Sequence, residues 1–129
     1  MDQEHRPTAF VIEDDPDIAH LLHIHLEALG LDVRAFETGE AALAAVGDDV
    51  PAFVVLDLEL PGMDGWDVLA RLRGDVRTIG MPVVLTSVAD LTGALSRKAS
   101  AILQKPFLRA DVRRVVAPYL AEPAAGMVA

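Results

Sequence analysis

The sequence predicts an α/β domain built on one parallel sheet with helices on both faces, and three observations carry that expectation. Apolar runs of four to six residues alternate with amphipathic stretches, the pattern of strand and helix repeats in a sheet buried on both sides. Two of these runs, Ala9-Phe10-Val11-Ile12 and Ala52-Phe53-Val54-Val55-Leu56, end on carboxylates, Glu13-Asp14-Asp15 and Asp57. The 129 residues, 52% of them hydrophobic, fit a single core and leave no room for a second.

The elements follow in order. A first strand is placed at Ala9 to Glu13. The helix after it has clear start and stop signals: Asp15 can cap it and Pro16 suits its first turn. Ile18, Leu22, His25, Leu26 and Leu29 form its stripe, and Gly30 ends it. Asp32 to Phe36 is the second strand, and a second helix runs from about Gly39 to Val46. The third strand, Ala52 to Asp57, leads through Pro61-Gly62, a pair suited to a type II turn. A third helix then runs from about Gly65 to Arg73, with Asp64 as its cap. Pro82 to Ser87 and Ala101 to Gln104 are the fourth and fifth strands, and the closing helix extends from about Arg109 to near Pro118. Between those two strands, Val88 to Lys98 is short for a helical connection and carries Gly93 inside it, which weakens a helix further. Residues 1–7 are read as an N-terminal extension, 8–120 as the domain, and 121–129 as a flexible tail with neither the period nor the length of an effector domain.

Right-handed crossovers leave few topologies for five such repeats, and the flavodoxin-like doubly wound (βα)5 sheet, strand order 2-1-3-4-5, is the expected one. That order makes strands one and three neighbours. Their carboxyl ends flank the topological switch point, where open α/β sheets bind ligands, so Glu13, Asp14 and Asp57 are expected to share one crevice. Thr86-Ser87 and Lys105-Pro106 end strands four and five at the same edge.

Composition excludes several function classes. Twenty Asp plus Glu against 11 Lys plus Arg give a net charge of -9, which opposes direct binding to a nucleic-acid backbone. The apolar runs are far too short for membrane insertion. There is no cysteine, and the first residues are polar, so neither a disulfide framework nor a secretory signal is visible and the cytoplasm is the expected location.

Three crowded carboxylates repel one another unless a hard cation and a lysine neutralise them. An oxygen-only donor set suits Mg²⁺, which often partners phosphate oxygens. An Asp carboxylate can then accept a phosphoryl group as nucleophile, while the cation and lysine spread the charge that develops on the transferred oxygens. Asp57 is the candidate acceptor.

Glu13-Asp14, Asp57 with Leu58-Glu59-Leu60-Pro61-Gly62-Met63-Asp64-Gly65, Thr86-Ser87 and Lys105-Pro106-Phe107 together resemble the receiver domain of two-component response regulators, of the stand-alone, chemotaxis-regulator-like kind. The resemblance covers roughly residues 8 to 120. It implies that Asp57 is phosphorylated by a histidine kinase or histidine phosphotransfer protein. It also implies that Glu13, Asp14, Asp57 and the Glu59 backbone carbonyl hold Mg²⁺, that Lys105 contacts the phosphoryl group, and that the Lys105-Pro106 bond is cis. The family places one Thr or Ser at the end of strand four; the offset of thirty from Asp57 selects Ser87, with Thr86 the alternative. The domain would act as a signalling phosphoacceptor rather than an enzyme in the ordinary sense. It would be a monomer or a phosphorylation-dependent dimer, passing its signal to a partner protein that the sequence does not name.

Two departures stand out. Ile102 occupies the position, three before Lys105, where the family usually carries Tyr or Phe, and the Val88 to Lys98 connection is about one helical turn short. Both predict an atypical output face. A receiver-like interaction module with atypical or phosphorylation-independent switching is therefore the alternative reading. Phosphatases of the haloacid dehalogenase type want an Asp where Glu59 stands, and a flavin phosphate would be repelled by Glu13-Asp14-Asp15. Trp66 is read as a packing residue, Asp15 and Asp17 as helix-end charges, and His20, His23 and His25 as helix-face residues rather than a metal cluster.

Overall fold

The computed structural model describes residues 6–88 and 98–120. Five parallel strands, β1 (Thr8–Ile12), β2 (Asp32–Phe36), β3 (Phe53–Asp57), β4 (Val83–Ser87) and β5 (Ala101–Gln104), lie in the order β2-β1-β3-β4-β5, the expected doubly wound arrangement. β3 and β4 are buried along their whole length and β1 at all but Thr8, because helices cover both faces. Edge strand β2, by contrast, has only exposed and half-buried residues.

Side-chain alternation splits the core in two. Phe10, Ile12, Val54, Leu56, Val83 and Leu85 point to the face covered by α2 (Gly39–Val46) and α3 (Gly65–Arg73). Ala9, Val11, Phe53, Val55, Val84 and Leu103 point to the face covered by α1 (Pro16–Ala28) and the C-terminal helix α4 (Arg109–Val116). Each buried Leu or Phe on these faces is worth about 2–5 kcal/mol against truncation to Ala.

The helix ends follow from local chemistry. Asp15 caps α1 by accepting from the Asp17 and Ile18 amides, Thr38 caps α2 through the Ala41 amide, and Asp64 caps α3 through the Asp67 amide. Gly30, just past α1, has φ +95, the left-handed conformation that ends a helix most cheaply with glycine. The closing helix stops at Val116, and a 3-10 turn (Ala117–Tyr119) absorbs Pro118. β1 ends at Ile12, so Glu13 sits just beyond the strand rather than in it, its amide donating to the Phe36 carbonyl at 2.9 Å.

Arg6, in the stretch expected to be an extension, donates to the carbonyls of Glu27, Gly30 and Leu31 and so ties the chain to the end of α1. The tail at 121–129, and the helix expected within Val88 to Lys98 apart from those two end residues, lie outside the described residues.

Candidate functional site

β1 and β3 pair in register, Ile12 beside Leu56, so the residues that follow them emerge side by side. Glu13 and Asp57 are only 2% and 3% exposed, whereas Asp14 is open to solvent. One carboxylate oxygen from each of the three lies within 4.8 Å of the others. The expected convergence at the switch point is therefore present.

Lys105 enters from the end of β5. Its Nζ lies 2.9 Å from Glu13 Oε1 and 3.3 Å from Asp57 Oδ2. The strand end is held by the Lys105 amide donating to the Ser87 carbonyl at 2.9 Å, and the Lys105-Pro106 bond that follows is cis. The contact with Glu13 is close in charge terms, yet its angle leaves Oε1 without a well-aligned hydrogen bond. Glu13 Oε2 accepts from the Asp15 amide at 3.1 Å. Burial pushes the Glu13 carboxyl up to about 7, against the opposing pull of Lys105 and the Asp15 amide, and nearby Asp57 adds to the rise. Burial disfavours the Lys105 ammonium, but its contacts with Glu13 and Asp57 outweigh that and raise its pKa. One lysine thus shares two buried carboxylates, and the surplus of negative charge together with the imperfectly satisfied Oε1 fits an oxygen-seeking divalent cation.

The loop after β3 forms the rim. Asp57 Oδ1 accepts from the Glu59 amide at 3.1 Å, and the Leu58 amide donates to the Thr86 carbonyl. Gly62 has φ +71, as the Pro61-Gly62 pair predicted. Gly65 begins α3 so close to β3 that a Cβ there would lie 2.5 Å from the Asp57 carbonyl oxygen and from Leu58 Cα. Glu40 was not singled out from the sequence: from the first turn of α2 it accepts from the Met63 amide at 3.3 Å, pinning this loop across a long separation in the chain. A lone surface glutamate carries no local signal for that role.

The two hydroxyls end on opposite faces of β4. Thr86 is in register with Asp57 and Leu103 and alternates with Val84, so it faces the α1/α4 side; its Oγ1 is buried without a partner among the described residues. Ser87 follows Leu85 on the α2/α3 side and pairs in register with Gln104. Ile102 shares that side and packs against its core. Trp66 also packs there. His20 is exposed, His23 pairs with Glu27 at 3.1 Å and His25 is half-buried, so these three do not form a metal cluster.

A family model, the response regulator receiver domain, matches residues 9–117. The DNA-binding response regulator MtrA of Mycolicibacterium smegmatis is 39% identical over 106 residues, covering 79% of this chain and 45% of that protein. The chain thus spans about half the length of the curated relatives it matches. A putative response regulator from Chloroflexus aurantiacus has the same fold at a TM-score of 0.83 and 27% identity, over 88% of this chain and 97% of that one. The receiver domain of sensor histidine kinase PA1611 from Pseudomonas aeruginosa, solved with a magnesium ion coordinated in its active-site cleft, matches at a TM-score of 0.77 and 22% identity, over 87% and 98%.

Proposed function

The chain belongs to the response regulator receiver domain family, and from that premise we propose that Asp57 accepts a phosphoryl group from a histidine kinase or histidine phosphotransfer protein. The observation that carries this reading is Lys105 Nζ, 3.3 Å from Asp57 Oδ2, in a crevice where three carboxylates converge. An Asp57 oxygen attacks phosphorus as the phosphorus–nitrogen bond of the donor phosphohistidine breaks, and the imidazole leaves with the bonding pair.

Glu13, Asp14, Asp57 and the Glu59 backbone carbonyl are the groups that would hold Mg²⁺, and the crowded acidic crevice supports that assignment. When bound, the ion supplies positive charge against the transferred oxygens. Lys105 supplies a second, fixed positive charge, and Asp57 Oδ1 is oriented by the Glu59 amide. The Ser87 hydroxyl, thirty residues after Asp57, is the group that would move toward the phosphoryl oxygens, with Thr86 the alternative. Phosphorylation adds nearly two negative charges and biases the surrounding loops toward a second arrangement that a partner protein reads. The domain's own acidity supports contacts with protein over contact with DNA.

Ile102 favours one second reading, a receiver that binds partners with an atypical or phosphorylation-independent switch. A single experiment separates the two. The chain is incubated with Mg²⁺ and acetyl phosphate and followed by intact mass; one phosphoryl addition that disappears in Asp57→Asn is expected. Absence of that addition with this donor and with a phosphorylated histidine donor refutes the phosphoacceptor reading.

A further inference from the structure

The flank formed by α1 and α4 stands apart from the acidic site. Between the two helices runs a groove lined by His25, Leu29, Arg109, Ala110, Arg113 and Ala117. Its floor is apolar because alanines stand where larger side chains would fill the space. Its wall on α4 is cationic, in a chain whose net charge is -9. Arg114 on the same helix is tied to Asp111 at 3.1 Å. Arg109 and Arg113 have no ion pair among the described residues, although they are exposed and stand four apart on one helix. Like charges at that spacing destabilise a helix, and among the described residues no acid pairs with either arginine. Across the groove, His25 is held below its usual range by burial and by Arg109, and its Nδ1 is buried without a partner. Burial thus keeps the imidazole from adding charge, and the arginines define the electrostatics of the wall.

We propose that this groove docks an acidic amphipathic helix of a partner protein. The eight residues of α4 span about 12 Å, close to two turns of a docked helix. Carboxylates spaced i, i+4 on such a helix meet Arg109 and Arg113, and small apolar residues on its inner stripe cover Ala110, Leu29 and Ala117. A lone phosphate or carboxylate would use the guanidiniums and leave the apolar floor wet. A second copy of this chain in a two-fold contact would set the arginine wall against itself. The surface is independent of Asp57 chemistry and supplies a constitutive contact beside the phosphorylation-dependent one.

The test uses the full chain and a fluorescein-labelled, lactam-stapled helical peptide carrying Glu at i, i+4 positions and an Ala/Leu stripe. Anisotropy is expected to report salt-sensitive binding, and amide shifts are expected to change at His25, Leu29 and along α4. Arg109→Gln with Arg113→Gln is expected to weaken binding on the order of tenfold with unchanged thermal unfolding. Replacing the peptide's Glu by Gln has the same effect, and Asp57→Asn leaves binding intact, so failure here is distinct from failure of the phosphoacceptor reading. Absence of binding up to millimolar peptide, equal binding of the Gln peptide, or shifts confined to another face overturns the proposal. So does concentration dependence of the groove shifts without peptide, which would give the surface to a second copy.

Discussion

Replacing Thr86 by valine separates the two hydroxyls at the end of β4 and tests the assignment of the site. Thr86 is 1% exposed, and its Oγ1 has no partner among the described residues. A buried hydroxyl without a hydrogen bond costs about 1–3 kcal/mol in desolvation. Valine has nearly the same shape, carries no polar atom, and would place a methyl group beside Val84 and Leu103 on the α1/α4 side. Thr86→Val is therefore expected to stabilise the domain by about 1–2 kcal/mol. In a urea titration followed by circular dichroism this moves the midpoint up by roughly 0.5–1 M with unchanged slope, taking a slope of about 2 kcal/mol per M. Because the offset of thirty from Asp57 gives the switch role to Ser87, phosphorylation of Asp57 in the valine variant is expected to proceed as in the parent, while Ser87→Ala alters the response that follows it. A lower midpoint for Thr86→Val would show that the hydroxyl is satisfied and refute the burial argument. Loss of the phosphorylation response in Thr86→Val, with Ser87→Ala unaffected, would transfer the switch role to Thr86.

Three further outcomes follow from the geometry. Arg73 donates to the carbonyls of Thr78, Ile79, Met81 and Lys98 and to Ser100 Oγ, so Arg73→Ala is expected to cost about 2–4 kcal/mol in urea unfolding and to speed amide exchange at residues 98–100. Arg73→Lys should recover little of that, because an ammonium cannot reproduce the planar fork. Gly65→Ala drives a Cβ into the Asp57 carbonyl and Leu58 Cα, both at 2.5 Å, and is expected to lose about 2 kcal/mol or more and to slow phosphorylation, measured by unfolding and intact mass together. Glu13 is raised from 4.5 to about 7 by burial, so across that window the metal-free folded chain holds more protons than the unfolded one. Stability should therefore fall as pH rises from 4.5 to 7, and Glu13→Gln should remove this contribution to the slope; an unchanged slope in Glu13→Gln refutes the assignment.

Much of the fold was legible residue by residue. The bounds of α2 and α3, the caps Asp15 and Asp64, and the stop at Gly30 all follow from interactions within a turn or two of the chain, which local sequence encodes directly. Strand order was legible at one remove, because handedness and the need to bury two apolar faces leave few alternatives. The convergence of Glu13, Asp14 and Asp57 was legible for the same reason: carboxylates after an apolar run are costly to bury, and two such runs point to a shared edge.

What stayed illegible depends on partners far apart in sequence. Glu40 pins the rim loop from 23 residues away, and Arg73 reaches 25 residues to Lys98. Neither has a neighbour in the chain that announces the contact. The cationic groove is likewise made by two helices from opposite ends of the chain; the arginines of α4 read alone as a solvated face.

From composition, alternation and spacing come the doubly wound sheet and the identity of Asp57 as the charge to explain. Only the folded chain decides that Lys105 divides itself between Glu13 and Asp57, that burial lifts Glu13 to about 7, and that Thr86 and Ser87 serve opposite faces. Periodicity is a property of successive residues, whereas desolvation and charge balance depend on what the rest of the molecule brings within a few ångström.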